Sequence, residues 1–198
     1  MAQQSICGIW FVNDGGPLIV LPRELLGYWQ GDTAVPGRGG SSVGSDYKRA
    51  CEAVHPAALL TVGPGFGLVI GAQDHIGTAN WLVLTDQPVA ALVGWSYGDD
   101  DSEAMVIELL RKEALPWRRL PCTIALSHGD VVLFHAASRG EELRELSSAD
   151  GYAVIGGCVP LRLDPGHYML EVLEAGGNLD HDSFGCVICR WVHVQRSD

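Results

Sequence analysis

Ile6-Cys7-Gly8-Ile9-Trp10-Phe11-Val12, then Asn13-Asp14-Gly15-Gly16-Pro17, then Leu18-Ile19-Val20-Leu21: an apolar run, a turn signal and a second apolar run open the chain. Runs this short suit strands rather than helices. Asp14-Gly15 supplies the positive-φ positions of a tight turn, so the stretch predicts a β-hairpin. The same reading extends outward. Pro22 suits a first helical position, with Leu25, Leu26 and Trp29 on one face of a short helix. Residues 31–45 hold five glycines, a proline and three serines and read as a surface loop. Asp46 is placed to cap a second short helix.

Leu59–Val62 and Leu68–Ile70 flank Gly63-Pro64-Gly65 and predict a second hairpin. Ala79–Leu84 and Val89–Tyr97 are further strands. Asp100 followed by Glu103 fits a helix start. That helix runs to about Ala114, with Val106, Leu109 and Leu110 inward, and Pro116 stops it. Cys122–Leu126 and Asp130–His135 are strand-like on either side of a turn at His128-Gly129, and a short helix is expected around Glu141–Leu146. Three strands close the reading: Ala153–Leu163, His167–Leu173 and Cys186–Val194. A turn at Asp164-Pro165-Gly166 joins the first two, and a longer loop from Gly176 to Ser183 joins the last two. The class is α+β, β-rich, with antiparallel sheets, one main helix and a few short helices. Residues 1–148 read as one α+β domain. Residues 149–198 read as a three-stranded β extension, with packing onto the first part as one unit left open.

Composition excludes several functions. The chain has 198 residues, a net charge of −11, and charged residues at only 19% against 47% hydrophobic. A core can therefore form, and the basic footprint that nucleic acid or an anionic membrane requires is missing. Residues 1–98 hold seven acids against four bases, while residues 99–198 hold seventeen against nine. The acidity begins abruptly at Asp99-Asp100-Asp101. The N-terminus lacks the basic and apolar segments of a secretory signal. The six cysteines, Cys7, Cys51, Cys122, Cys158, Cys186 and Cys189, are scattered and read as reduced cytoplasmic thiols.

Each candidate motif also has a plainer reading. Gly94-Trp95-Ser96-Tyr97-Gly98 matches the G-x-S-x-G of a nucleophile elbow, with Asp130, Asp150 or Asp164 and His167 or His181 as partners for Ser96. Three carboxylates at the following helix start would destabilise an oxyanion, and repeated βα units are missing, so a serine hydrolase is the alternative rather than the reading. Gly40-Ser41-Ser42-Val43-Gly44 repeats the pattern inside a flexible loop. Gly63-Pro64-Gly65-Phe66-Gly67 lacks the spacing of a phosphate loop. Cys186 and Cys189, with His181 and His193 nearby, lack a second ligand pair, and on a strand they point to opposite faces. No cofactor or metal is expected. Consecutive acids at residues 99–103 lack the spacing of a calcium loop. Most tryptophans should be core, and because aromatics also serve as interface anchors, an exposed one would be informative.

One resemblance spans these elements. Residues 10–29, from Trp10 through Gly15-Gly16-Pro17-Leu18 to Leu21-Pro22-Arg23-Glu24-Leu25-Leu26-Gly27-Tyr28-Trp29, resemble the opening of the immunity protein 21 family of bacterial polymorphic toxin systems. Asp46-Tyr47-Lys48-Arg49-Ala50-Cys51 follows. So do Leu68-Val69-Ile70-Gly71 with Thr78, Trp81 and Leu82, then Val93–Asp99, then Val132-Leu133-Phe134-His135-Ala136-Ala137. The likeness covers about residues 8–140 and departs at Gly94, where the family has Arg, and at His135, where it has Asp. It implies a cytoplasmic, non-enzymatic protein that binds a cognate toxin and neutralises it by occlusion, with no catalytic residue carried over. A non-enzymatic regulatory binding module is a further alternative. Immunity families often vary at the surface that binds, so the motif positions are expected to be scaffold. The acidic charge suits a basic toxin. The expected contacts are Asp99, Asp100, Asp101 and Glu103, with Asp180 and Asp182 as a second patch.

Overall fold

A computed structural model describes residues 5–12, 16–33, 44–53, 56–70, 78–84, 89–97, 102–112, 114–145, 156–179 and 182–194. Strands β1 (Ser5–Val12) and β2 (Leu18–Pro22) precede a 3-10 turn (Arg23–Tyr28) and helix α1 (Asp46–Cys51). Then come β3 (Ala57–Val62), β4 (Gly65–Ile70), β5 (Thr78–Leu84), β6 (Val89–Tyr97) and helix α2 (Ser102–Arg111). β7 (Arg118–Leu126), β8 (Asp130–His135), a second 3-10 turn (Gly140–Glu142) and the two-residue β9 (Arg144–Glu145) follow. β10 (Gly157–Arg162), β11 (Gly166–Leu179) and β12 (Asp182–His193) are the last. The class is α+β, rich in antiparallel strand with few helices, as the sequence predicts.

The strands make two six-stranded sheets, β1-β5-β6-β12-β11-β7 and β3-β4-β2-β8-β10-β9. Their inner faces share one core, in which Leu18, Leu68, Leu133 and Leu161 of the second sheet meet Leu92, Ile124, Leu170 and Trp191 of the first. Alternate residues serve the outer faces. Ile19, Leu21, Val132 and Phe134 pack under Leu25 and Trp29 of the 3-10 turn and Ala50 of α1. Ala91, Val93 and Ile188 pack under Val106, Ile107 and Leu110 of α2, whose Glu108 and Arg111 stay exposed, as does Lys112 just after it. Two sheets are thus enclosed between two helical layers.

Several expectations are corrected. β1 and β2 are not a hairpin, because they lie in different sheets: β1 pairs with β5, and β2 runs between β4 and β8. All five β2 residues are buried, so this strand needs a neighbour on each side and cover on each face. The turns at Gly129 and Asp164-Pro165 also cross between sheets, since β7 and β11 pair with each other while β8 pairs with β10. At the first crossing Gly129 has φ +71, and an added Cβ would collide with the Leu163 carbonyl. The loop expected at residues 176–183 is mostly strand. The β11–β12 ladder continues through Gly176↔Gly185 to Leu179↔Asp182. The helix expected at residues 141–146 is the short 3-10 turn followed by β9. Ser45, not Asp46, caps α1, its hydroxyl accepting from the Lys48 N–H at 3.2 Å.

Strands from beyond residue 148 lie inside both sheets: β10 borders β8, and β12 borders β6. A chain ending at residue 148 would leave both β6 and β8 with an unpaired edge and an uncovered face. We therefore propose one cooperative unit. The 1–148 fragment should show no cooperative thermal transition by circular dichroism, whereas the full chain should melt in one step; a cooperatively melting fragment would show two domains.

Candidate functional site

The elbow motif is built as sheet. Gly94 and Trp95 pair with Ala79 and Thr78 of β5 on one side and with Val187 and Cys186 of β12 on the other. The register steps from Gly185↔Tyr97 to Cys186↔Trp95, so Ser96 is the extra residue of a bulge rather than the apex of a strand-to-helix turn. Its proposed partners lie elsewhere. His167 is exposed at the start of β11, nine residues from Gly176, the β11 residue level with this bulge. At ~3.3 Å per residue that is roughly 30 Å. Asp164 lies beyond His167, and Asp130 belongs to the other sheet, 4.0 Å from Arg162. Asp150 and His181 lie outside the described residues. Of the second motif, residues 40–43 also lie outside them.

The cysteine pair divides between two cores, as a strand requires. Cys186 packs beneath α2, and Cys189 packs between the sheets. Burial pushes each thiol up to about 12. Among the described residues no group of three His, Cys, Asp or Glu side chains is placed to hold a metal. His193 instead packs edge-on against Tyr168, with ring centroids 5.1 Å apart. Gly63-Pro64 forms the β3–β4 turn, with the Tyr28 ring seated on Gly63 at φ +53.

The resembling motifs build a structural junction. The buried Trp29 donates its indole N–H to the Ala136 carbonyl at 2.9 Å, and its own carbonyl accepts from the Gly140 N–H at 3.0 Å. Next to it, Asp46 accepts from the Gln30 N–H and from Arg49, each at 2.8 Å. Tyr47 N–H donates to the Gly31 carbonyl at 2.9 Å, and Asp32 N–H to that of Ala137 at 3.1 Å. Gly31 has φ +61 and lies too close to Ala137 and Ser138 to carry a side chain. The first two motifs and the β8 motif thus meet at one place. His135, one of the two departures, stacks near Tyr47, and its Nδ1 accepts from the Ala137 N–H at 3.1 Å. Gly94, the other, has ordinary room for a Cβ, 3.7 Å from Ile70.

Of the six expected contacts, Asp99, Asp100, Asp101 and Asp180 lie outside the described residues. Glu103 falls in the first turn of α2, and Asp182 is the first residue of β12. The described backbone relates the two groups. Tyr97, from which the chain departs toward residues 99–103, pairs with Gly185, three residues from Asp182. Both acidic stretches are therefore joined to the same end of one sheet. Trp29 and Trp191 are core, while Tyr28 and Phe66 are exposed.

The sequence reading missed one ion pair. Glu171 and Arg190 face each other across β11 and β12, with Arg190 Nε and Nη2 donating to one carboxylate oxygen at 2.8 and 2.6 Å. Trp117 lies 3.8 Å from the guanidinium, and Arg119 lies 3.6 Å from Glu171. The signal was a charge of opposite sign flanked by apolar residues in each of two neighbouring strands, Leu170-Glu171-Val172 and Cys189-Arg190-Trp191.

The sequence model of a protein family described as Immunity protein 21 matches residues 9–178, running past the resembling motifs into β11. No curated protein and no solved structure matches the chain significantly.

Burial of the two thiols has a consequence at alkaline pH. With the folded pKa raised from 9.0 to about 12, the unfolded chain loses protons first. Their contribution is intact below pH 9 and is lost as pH rises from 9 toward 12. Native protein at pH 8 should react with a thiol reagent at the exposed Cys51 but not at Cys186 or Cys189 until denatured. Mass mapping of the labelled peptides reads this directly.

Proposed function

The chain belongs to the immunity protein 21 family, and from that premise we propose that it binds a cognate bacterial toxin and neutralises it by occlusion. Family membership carries the proposal. The toxin partner is basic, and the complex forms in the cytoplasm without chemistry by this chain. Its binding surface is the end of the β6–β12–β11 sheet from which the chain leads into Asp99, Asp100, Asp101 and Glu103 and into Asp180 and Asp182.

Charge supports the choice of surface. The −11 net charge is concentrated beyond residue 98, and the two acidic stretches adjoin neighbouring strand ends. Acids gathered at one end steer a basic partner during encounter and are screened beyond ~10 Å at 0.1 M salt. The resembling motifs support it from the other side, because Leu25, Trp29, Asp46, Ala50, Val132 and Phe134 among them are spent on the Trp29 junction and the core. The regulatory-module alternative has no comparable support.

The test is to find whether a toxin domain is encoded beside this gene and to co-express the two. The protein should co-purify with that domain and restore growth; failure of both would remove the proposal. Replacing Asp99, Asp100 and Asp101 by lysine should slow association roughly tenfold or more at low salt. Dissociation and thermal stability should change little, and the difference should shrink at high salt. Stopped-flow mixing at two ionic strengths measures it, and unchanged association would show that the cluster is only solvated.

A further inference from the structure

Among the described residues β3 ends its sheet, with β4 as its one strand neighbour. Its sequence, Ala57-Ala58-Leu59-Leu60-Thr61-Val62, has no charge and no proline. Such a strand at an open edge invites pairing with another chain. Two other edges carry their own protection: β9 is two charged residues long, and β7 carries exposed Arg118, Arg119 and Pro121. The protection of β3 comes from outside the strand. Arg118 of β7, in the opposite sheet, donates Nη2 to the Ala57 carbonyl at 2.8 Å. Arg49 of α1 donates Nη2 to the Thr61 carbonyl at 2.7 Å, and its Nη1 is anchored on Asp46.

These bonds also fix the geometry of the edge. Carbonyls reached from outside the sheet point away from β4, and ladder orientation alternates with period two. Ala57, Leu59 and Thr61 therefore present their backbone groups outward. Their order is symmetric about Leu59. A second β3 brought up antiparallel would place Leu59 against Leu59 and Ala57 against Thr61, with no like charges opposed.

We propose that the β3 edge is a pairing surface for a second copy of this chain, kept closed by Arg49 and Arg118. Self-pairing requires two carbonyls on each copy to exchange an arginine for a strand N–H. Each guard bond is charge-assisted, so removing one arginine should tighten self-association roughly tenfold or more.

Sedimentation velocity over a range of concentrations tests this with the full chain. The Arg49→Ala/Arg118→Ala variant should form dimer at concentrations where the parent does not. Leu59→Pro added to that variant should restore the monomer with the parent's circular dichroism, because it removes an outward N–H for which no described group accepts; the dichroism checks that losing the Leu59 side chain from the core margin has not unfolded it. Arg118→Ala alone, which spares the Asp46 contact, should give a weaker dimer and covers the case in which the double variant does not fold. A folded variant that sediments like the parent at every concentration would overturn the proposal. So would a dimer that survives Leu59→Pro, or a parent dimer that Leu59→Pro abolishes.

Discussion

The structure rests on covering four sheet faces at once. The inner faces cover each other, α2 covers the outside of one sheet, and α1 with the Arg23–Tyr28 turn covers the outside of the other. Strands in such an arrangement must be apolar on both faces, which is why Leu18–Pro22 and Val131–Phe134 are continuous buried runs. A polar side chain in this setting must bring its partner with it. Glu171 and Arg190 do so across one ladder position, and Trp29 does so through the Ala136 carbonyl. What remains open is backbone at the edges, and arginines from other elements reach that of β3.

Local features were legible in the sequence. The β3–β4 hairpin, β5, β6 and α2 follow from short-range patterns: a Gly-Pro turn between apolar runs, and a helical stripe of Val106, Leu109 and Leu110. Partner choice was not legible. A turn signal reports that the chain reverses, not which sheet receives it, so Gly15-Gly16, Gly129 and Asp164-Pro165 all pointed to reversals whose strands enter different sheets. Gly176-Gly177-Asn178 carries loop composition yet stays in a long paired ladder, because β12 mirrors it residue for residue. The acidic stretches were legible as charge. That both acidic stretches adjoin one sheet end depends on the pairing of Tyr97 with Gly185, which no local pattern reveals.

The described junction is scaffold, set apart from the acidic stretches of the proposed binding surface. Trp29, Asp46 and the Gly31–Ala137 contact tie α1, the 3-10 turn and the end of β8 into one junction. Substitution there changes the fold before it changes a contact.

Hydrogen–deuterium exchange of the free protein against its complex with the toxin domain tests this division most directly. The account predicts new protection at residues 97–103 and 179–185, with exchange around Trp29, Asp46 and Ala136 unchanged. Protection centred on the Trp29 junction, with the acidic end unaffected, would contradict it.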